Sequence, residues 1–393
     1  MTNQIIHQFI KNNQADMIAT RRYLHAHPEQ SLQEFETTKY IAKQLDQLGL
    51  TYTLLNPTGL FGEIKGNKPG KTILLRADID ALSIQELNDV DYKSVNEGSM
   101  HACGHDAHAA MLLTAIKALL EVKDDIHGTV RFLFQPAEEI AKGARIVSEQ
   151  GALEGVDSVF GIHIWTVDEV GQISCQSGPS FASTDRFTIK FQGTGGHGGQ
   201  PHMTHDAIIM ASEYVSNVQN IISRVTDPQQ PAVLTVGKFQ AGDRWNIIAE
   251  NAEIEGTVRT YDQETRDKIE DAMKLYADNI ANMYGGTAEV DYERLIDPVF
   301  NEENAAKLVQ ATAAAAFGSS KIQNNVPTMG GEDFGYYLTK VPGAFATVGT
   351  RNPNKGSDYP HHSARFNIDE DSLAIGAELH AQYALAYLNQ NEF

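Results

Sequence analysis

The sequence predicts an α/β protein in which a mostly parallel sheet is interrupted by an inserted α+β domain. The first observation is a set of short apolar segments rich in β-branched or aromatic residues, which is typical of buried parallel strands. These segments are residues 71–78, 129–135, 158–165 and 344–350. The second is a helix-forming segment, residues 108–122, between two of them, and this alternation favours the α/β class. The third is the length of 393 residues, which exceeds one ordinary core and predicts two domains.

The residues after position 30 predict a helix near the start of the chain. Ser31, followed three residues later by Glu34, fits a capping box, in which both side chains bond free backbone N–H groups. Apolar side chains from Phe35 to Leu48 then recur at near-helical spacing. We therefore expect a helix that begins here with Ser31 as its cap.

A different order of elements follows in the middle of the chain. We predict strands at 187–193, 232–240, 252–261 and 287–295, and helices at 206–222 and 266–284. The order β-α-β-β-α-β is that of a ferredoxin-like unit, which can close as a separate domain. We therefore expect an inserted domain over residues 181–294. The first domain is then discontinuous and comprises residues 1–180 and 295–393.

Charge and composition exclude several classes of partner. The formal net charge of −20 repels phosphate backbones and anionic lipid surfaces, so neither nucleic acid nor a membrane is expected as a partner. The two cysteines do not form a disulfide framework. Residues 1–14 lack an apolar signal core, and no apolar run approaches the length that spans a bilayer. We therefore expect a cytoplasmic protein.

The predicted parallel strands all run into residues that bind metals or move protons. Ligands of open α/β sheets bind beyond the carboxyl ends of the strands, so these residues are the first candidates for a site. They are Asp78 and Asp80, Glu138 and Glu139, His163, and the pair His361 and His362. Each one alone has an ordinary structural explanation, but their joint occurrence at strand ends favours metal catalysis.

Cys103 and His105 add a thiol and an imidazole, which are favoured ligands of zinc and neighbouring metals. Only Gly104 separates them, so in an extended segment both side chains project to the same side and can share one metal centre. A lone buried cysteine is more often an inert apolar residue.

Glu138 and Glu139 are adjacent, and in an extended chain adjacent side chains point in opposite directions. We therefore expect one of them to be a metal ligand and the other to be a general base that takes the proton of a metal-bound water. The alternative is a solvated helix start, with Pro136 in its first turn.

Seven motifs together resemble the aminoacylase, hippurate hydrolase and auxin-conjugate (IAA-amino acid) hydrolase branch of the dinuclear metallopeptidases. They are RADIDAL (76–82), MHACGHDAH (100–108), PAEE (136–139), GIHIW (161–165), GGHGGQPH (195–202), GTVRT (256–260) and MGGEDF (329–334). The resemblance extends over nearly the whole chain. It implies a catalytic domain that holds two divalent metal ions, with zinc or manganese expected and cobalt or nickel as alternatives.

The resemblance also implies a role for each candidate residue. Cys103 is the bridging ligand, His105 and His163 complete one metal site, and Glu139 and His362 complete the other. Glu138 is the general base, and Asp80 orients the metal ligands, since a metal-bound histidine usually donates its other ring N–H to a carboxylate or carbonyl. His362 is preferred to His361 because it precedes Ser363, as in the family's His-Ser-Pro, although Ala364 takes the place of the proline.

By the same resemblance, the inserted domain is a lid through which two chains form a homodimer. His197 stabilises the oxyanion of the tetrahedral intermediate, often from the partner subunit. Asn246 and Arg259 hold the substrate carboxylate, and backbone N–H groups at Gly330 and Gly331 bind an anion. The alternatives are an exposed loop position for His197 and a strand-surface ion pair for Arg259.

The implied reaction is hydrolysis of an N-acyl-L-amino acid, with acetyl as the expected acyl group, to a carboxylate and a free amino acid. A dipeptidase or carboxypeptidase, a hippurate hydrolase and an N-acetyl-diaminopimelate deacetylase are close alternatives. Two alternatives come from other classes. One is a cysteine amidase that uses Cys103 as its nucleophile, and the other is a non-catalytic amino-acid-binding protein.

Overall fold

The computed structural model describes residues 1–389, which form two compact units. The larger unit comprises Met1–Gly178, Asn301–Val326 and the described residues from Tyr336 onwards. The smaller unit comprises Pro179–Phe300 and Pro327–Gly335. It therefore contains a second short segment, Pro327–Gly335, which the sequence pattern assigns to the discontinuous domain.

Ten α-helices lie in the described part of the chain. They are α1 (Thr2–Asn12), α2 (Gln14–Ala26), α3 (Phe35–Gln47), α4 (His105–Glu121), α5 (Gly143–Glu149), α6 (Ala207–Asn220), α7 (Gln263–Met283), α8 (Glu303–Phe317), α9 (Gly335–Leu338) and α10 (Asp371–Leu388). Among residues 1–389, no helix combines the length and the apolar character needed to cross a membrane.

Sixteen strands lie in the same described range. They are β1 (Tyr52–Leu54), β2 (Leu60–Lys65), β3 (Lys68–Asp78), β4 (His127–Gln135), β5 (Ser158–Glu169), β6 (Ile173–Ser174), β7 (Gly178–Phe181), β8 (Thr184–Gln192), β9 (Gly196–His197), β10 (Ala232–Ala241), β11 (Ile247–Ile248), β12 (Asn251–Thr260), β13 (Thr287–Ile296), β14 (Val299–Asn301), β15 (Ile322–Gln323) and β16 (Gly343–Arg351).

The larger unit is built on an eight-stranded sheet in the order β1-β2-β4-β3-β5-β16-β6-β15. The four central strands, β4, β3, β5 and β16, are mutually parallel, and antiparallel pairs occur on either side of them. Residues 343–350 of β16 are all buried, as expected for a parallel strand covered on both faces. Helices α4 and α10 pack against each other and against β3, and they bury apolar side chains such as Leu112 and Leu379. The predicted α/β class with a mostly parallel sheet is confirmed.

Strand register brings the candidate residues to one edge of this sheet. Asp78, at the end of β3, pairs with Gln135 at the end of β4, so the Asp80 and Glu138 loops leave the sheet side by side. On the other side of β3, His163 of β5 pairs with Thr347 of β16. The carboxyl ends of the parallel strands are therefore aligned, which is the geometry that gathers a site in open α/β folds.

The predicted capping box at the start of α3 is wrong. The helix begins at Phe35 with Glu34 as its N-cap residue, but the Glu34 side chain makes no capping hydrogen bond. The carboxylate of Glu29 instead accepts the free N–H groups of Glu36 and Thr37. The Ser31 hydroxyl instead donates to Asp80 Oδ2 at 2.6 Å, and the Glu34 carboxylate accepts from distant groups. Leu32, with φ of 64°, turns the backbone between the two residues. Both side chains therefore point away from the helix that they were expected to cap.

The smaller unit contains a four-stranded antiparallel sheet in the order β10-β12-β8-β13. Along the chain its elements follow the order β8, α6, β10, β12, α7, β13. Helices α6 and α7 pack on the sheet, where Met210 and Ile269 join Phe187, Ile189 and Ile254 in a separate apolar core. A short two-stranded sheet of β9 and β11 lies in the loops of this unit.

Candidate active site

Cys103 lies just before α4, and a left-handed turn at Gly104 separates it from His105, the first residue of that helix. Gly104 has φ of 95°, and a Cβ there would lie 2.3 Å from the Cδ1 atom of Ile164. The segment is therefore not extended, and the predicted reason for pairing Cys103 with His105 is wrong. The pairing itself is present, because ligand atoms of Cys103, His105 and His163 all lie within 4.8 Å of one another.

A second group of ligand atoms contains Cys103, Glu139 and His362, again within 4.8 Å of one another. His362 is held beside the cysteine because its backbone N–H donates to the carbonyl oxygen of Ala102 at 2.9 Å. Its Nε2 lies 3.5 Å from Oε2 of Glu139. Cys103 thus belongs to both groups, which places its sulfur between two sets of donors.

The neighbouring His361 has a different environment. Its Nε2 accepts a hydrogen bond from the N–H of Thr166 at 3.3 Å, and its ring lies against Trp165. In the part of the chain that the structure describes, the groups able to hold an ion include His362 and do not include His361.

Glu138 and Glu139 lie in a turn after β4, not in an extended segment. Ala137 has φ of 59°, so the chain reverses direction immediately before the two glutamates. Carboxylate oxygens of both residues lie with a His105 nitrogen in one group within 4.8 Å. The expectation that the two side chains point in opposite directions is therefore wrong. Of the two, only Glu139 also belongs to the group with Cys103 and His362.

The buried carboxylate of Asp80 connects the turn that contains Glu138 and Glu139, here called the glutamate turn, to His105. Its Oδ1 lies 3.2 Å from Nδ1 of His105 and accepts the N–H of Glu138 at 3.1 Å. Its Oδ2 accepts the N–H of Glu139 at 3.1 Å and the Ser31 hydroxyl. Burial alone would raise the pKa of Asp80, but hydrogen bonds from His105 and Ser31 lower it below its ordinary value. The carboxylate therefore stays ionised and directs Nε2 of His105 towards the other ligands.

His163 is oriented in a similar way by a backbone carbonyl. Its Nδ1 lies 2.6 Å from the carbonyl oxygen of Ile164, so this nitrogen carries the proton. Burial holds the pKa of His163 well below its ordinary value, which keeps the ring neutral. Its Nε2 is then a lone-pair donor and lies 3.5 Å from the sulfur of Cys103.

Asp78 and His108 also lie within 4.8 Å of His105, but their polar atoms are already engaged. Nδ1 of His108 lies 2.5 Å from Oδ1 of Asp78, and its Nε2 accepts the N–H of Ile164 at 2.9 Å. The other oxygen of Asp78 accepts from the Arg76 guanidinium at 2.6 Å. The polar atoms of this buried cluster are therefore occupied by hydrogen bonds within the protein, which makes the cluster a poor candidate for a third ion site.

Two buried atoms test whether the site fits metal ions. Nε2 of His105 and Oε1 of Glu139 have no hydrogen-bond partner among the described residues, and they lie 3.9 Å apart. Buried polar atoms are rarely left unpaired, because the loss of water is then not compensated. A cation between them would satisfy both. Together with the thiol and the other imidazoles, these donors fit two divalent cations.

Burial and the nearby Glu139 carboxylate raise the pKa of the Cys103 thiol well above its ordinary value. Without a cation the sulfur is therefore a neutral thiol, whereas a bound dication deprotonates such a ligand. This environment agrees with a ligand role for Cys103 and disagrees with a free thiolate nucleophile.

The remaining predicted residues lie in the smaller unit and form two clusters. In the first, β9 and β11 pair His197 with Ile247, next to Asn246. His197 is exposed, and its Nδ1 accepts the N–H of Gly199 at 3.0 Å. The carbonyl oxygen of Asn246 accepts the N–H of Gly198 at 2.9 Å, so these two loops are held together.

The second cluster contains Arg259 on β12, half-buried and bonded to the hydroxyl of Thr184. A Cβ on Gly331 would lie 2.4 Å from the hydroxyl oxygen of Thr184, so the glycine allows its segment to approach the partner of Arg259 closely. No carboxylate in the described chain lies within salt-bridge distance of Arg259, which argues against the alternative of a surface ion pair. The N–H of Gly330 donates to the hydroxyl of Thr328 at 3.1 Å, so the expectation that it is free for an anion is wrong.

Sequence reasoning missed Ser31 and Glu34 as supports of the site. Both occur in a local pattern that fits a helix cap, and this explanation concealed their long-range partners Asp80 and Ala137. The only sequence signal is that each lies in the loop before α3 and carries an oxygen that can bond a backbone N–H or a carboxylate. That signal does not identify the partner.

Comparison with known proteins relates this architecture to one family. The sequence profile of peptidase family M20/M25/M40 matches residues 74–386. The chain is 41% identical over 377 residues to an N-acetylcysteine deacetylase of Bacillus subtilis, covering 95% of this chain and 97% of that protein. It is 40% identical over 378 residues to thermostable carboxypeptidase 2 of Saccharolobus solfataricus, covering 95% and 96%.

Solved structures give a similar result. A Bacillus subtilis protein described as a dinuclear metal binding peptidase from the M20 family is 37% identical to this chain, with a TM-score of 0.85. The superposition covers 96% of this chain and 99% of the other. The fold described above therefore has a close counterpart in a dinuclear metal-binding protein.

Proposed function

Because this chain belongs to peptidase family M20/M25/M40, we propose that it hydrolyses N-acyl-L-amino acids, preferentially N-acetyl ones, to a carboxylate and a free amino acid. The observation that carries the proposal is the pair of ligand groups that share Cys103. One contains His105 and His163, and the other contains Glu139 and His362. Cys103 would bridge two divalent cations, and each pair would complete the coordination of one cation.

The chemistry of the bound cations is that of Lewis acids, which polarise the scissile carbonyl and lower the pKa of the attacking water. Glu138 is the proposed general base. Its Oε2 lies 4.0 Å from Nε2 of His105, so its carboxylate faces the donors without belonging to either group that contains Cys103. It would take the proton of the attacking water and deliver it to the leaving amine.

Residues of the smaller unit are proposed to bind the substrate. Arg259 would hold the substrate carboxylate, since no carboxylate of residues 1–389 pairs with its guanidinium, and a guanidinium can bind a carboxylate through two parallel hydrogen bonds. Asn246 has a buried side-chain oxygen without a hydrogen-bond partner among residues 1–389, and it is a second candidate contact. Gly331 would bring its backbone close to the substrate. His197 would donate to the oxyanion, in trans from the other subunit of a dimer.

A homodimer through the smaller unit is part of the proposal, with this unit as a lid. Strand β10 is an edge strand of its sheet and exposes the aromatic side chain of Phe239. An edge strand with an exposed apolar side chain is a site for pairing with another chain. Light scattering coupled to size exclusion tests this part, and a monomer at micromolar concentration would contradict it.

The metal and the compartment are narrower proposals. Thiol and imidazole donors suit zinc, whereas carboxylate donors also suit manganese, and cobalt or nickel fit the same set. Both cysteines are buried and unpaired, which suits a reducing cytoplasm. Elemental analysis of the purified protein is expected to give two divalent cations per chain.

A substrate panel tests the function. It comprises acetyl-, benzoyl- and indoleacetyl-amino acids, N-acetyl-diaminopimelate and dipeptides, all assayed with saturating metal. We expect the highest kcat/KM for an N-acetyl-amino acid. A higher kcat/KM for dipeptides would replace the proposal with the carboxypeptidase or dipeptidase alternative, and a higher value for benzoyl substrates would favour the hippurate hydrolase.

The cysteine amidase alternative makes an opposite prediction. It requires iodoacetamide to abolish activity and EDTA to have no effect. The metal proposal requires EDTA to abolish activity and added metal to restore it.

A further inference from the structure

Glu34 is a fully buried carboxylate that binds no positively charged group in the described chain. Its Oε2 accepts the hydroxyl of Thr58 at 2.6 Å, and its Oε1 accepts the backbone N–H of Ala137 at 2.9 Å. Burial is the main cause that raises the pKa of Glu34 from 4.5 to about 7. A buried carboxylate costs free energy unless it is well bonded, so this position calls for a specific explanation.

Glu34 does not cap its own helix. It is the N-cap residue of α3, yet its side chain makes no capping hydrogen bond there. The carboxylate points instead to the loop after β4, across 103 positions of sequence. The hydrogen bond that this carboxylate accepts therefore stabilises that loop and not α3.

The residue that it binds, Ala137, has an unusual backbone conformation. Its φ of 59° lies in the left-handed region, which residues with a Cβ rarely adopt. The carbonyl oxygen of Ala137 accepts the N–H of Gly143 at 3.0 Å, so both peptide groups of the residue are fixed. Glu138 follows directly, so the direction of its side chain depends on this turn.

Three successive N–H groups, those of Ala137, Glu138 and Glu139, donate to two buried carboxylates. Glu34 takes the first, and Asp80 takes the second and third. Each carboxylate is held in turn by one hydroxyl, Thr58 for Glu34 and Ser31 for Asp80. The glutamate turn is thus fixed from its amino end by Glu34 and from its centre by Asp80.

We propose that Glu34 is a positioning residue for the general base, because its carboxylate fixes the Ala137 turn that directs Glu138 towards the ligand groups. This inference rests on the proposed function for its catalytic consequence. Glu34 touches neither substrate nor reacting atoms, so it acts only through the backbone of the turn.

Two substitutions separate the reach of the side chain from its charge. Glu34→Gln keeps an oxygen that can accept the Ala137 N–H and removes the charge, whereas Glu34→Asp keeps the charge and is one methylene too short. We expect Glu34→Asp to lower kcat by about 10–100-fold with KM changed by less than about threefold and both cations retained. We expect Glu34→Gln to stay within about threefold of the wild type.

Hydrogen exchange measured by mass spectrometry gives a readout that needs no substrate. Peptides that contain residues 137–139 should exchange faster in Glu34→Asp and at the wild-type rate in Glu34→Gln. The matched control is Glu378→Asp, which shortens another buried carboxylate, one bonded to His7 and Gln382. It should change neither kcat nor the exchange of these peptides. If Glu34→Asp does not fold, Thr58→Val should give a smaller change in the same direction.

Wild-type kcat and exchange in Glu34→Asp would overturn the proposal. A wild-type kcat in Glu34→Asp together with loss of activity in Glu34→Gln would also overturn it, because the charge of the side chain, and not its reach, would then determine kcat. Loss of cations from Glu34→Asp with unchanged kcat per occupied site would also overturn it. A wild-type protein that cleaves nothing in the substrate panel would contradict the proposed function, and the exchange data alone would then decide the role of Glu34.

Discussion

Nε2 of His163 lies 3.5 Å from the sulfur of Cys103, at the point where the two ligand groups meet. If Cys103 bridges two cations, Cys103→Ala removes a ligand from both sites at once. We expect this variant to lose cations and to fall to less than about 1% of wild-type kcat. Removing a group that only orients a metal ligand already costs about 10–100-fold in metal affinity or activity, and this change removes a shared ligand. Elemental analysis and kinetics of the same sample test this.

The second cysteine is the matched control for that change. Cys175 is also buried, and burial also raises its thiol pKa, but it belongs to no ligand group among residues 1–389. Cys175→Ala should keep two cations and near-wild-type kcat. A Cys103→Ala protein that still holds two cations would contradict the bridging role.

Glu138→Gln tests the general base. The amide has nearly the same shape but cannot accept the proton of the attacking water. We therefore expect kcat to fall by about 10²–10⁴-fold while both cations remain bound. Glu139→Gln is the comparison, because loss of a ligand should lower cation content as well as kcat. Unchanged turnover in Glu138→Gln would remove this residue from the mechanism and would reopen the question of a binding protein.

Asp80→Asn tests the orientation of His105 and of the glutamate turn. The carboxylate accepts two backbone N–H groups and contacts Nδ1 of His105, and an amide NH2 cannot accept from either kind of donor. We expect a 10–100-fold loss of metal affinity, measured by competition with a chelator, and a lower kcat at saturating metal. Ser31→Ala removes only one donor to Asp80 and should have a smaller effect on both quantities. Equal effects of the two variants would argue against Asp80 as the orienting group.

Several features of the site followed from the sequence for a clear physical reason. Buried parallel strands have continuous apolar runs, and their carboxyl ends meet at one edge, so the grouping of Glu139, His163 and His362 could be predicted. The family resemblance and the class of reaction, metal-dependent amide hydrolysis, are confirmed by the comparisons. The assignment of ligand, base and substrate-binding roles to individual residues stays a prediction.

The local geometry could not be predicted, because tertiary contacts determine it. The side chain of Ile164 packs closely against the turn at Gly104, and the carboxylate of Glu34 accepts the backbone N–H of Ala137 in the other turn. Arguments from an extended chain failed at both turns for this reason. Periodicity describes which face of an element is buried, but it contains no information about a backbone that reverses between elements.

The raised pKa of Glu34 predicts how stability changes with pH. Its pKa is about 7 in the folded protein and 4.5 ordinarily, so between these values the folded state binds more protons than the unfolded state. The free energy of unfolding should therefore fall as pH rises from about 4.5 to 7, by up to about 3 kcal/mol from this group. Glu34→Gln lacks this contribution. Urea unfolding of both proteins at pH 5 and pH 8, without cations, should show the larger decrease in the wild type, and equal decreases would contradict the shift.

Gly104→Ala tests whether the turn before α4 assembles the ligands. Gly104 has φ of 95°, and an added Cβ would lie 2.3 Å from Ile164 Cδ1, so the backbone or the isoleucine would have to move. Because Cys103 and His105 lie on either side of this residue, movement should separate their ligand atoms. We expect both a lower Tm and a loss of bound cations at a fixed metal concentration.

Gly98 provides the control, because its φ of 72° is also left-handed while a Cβ there would have no neighbour within 4 Å. Gly98→Ala should therefore show only the cost of the backbone conformation, about 1–2 kcal/mol. Its cation content should stay at the wild-type value. The difference between the two variants isolates the contact with Ile164 from the left-handed backbone itself. Equal cation content in both would mean that the ligands assemble without the close packing at Gly104.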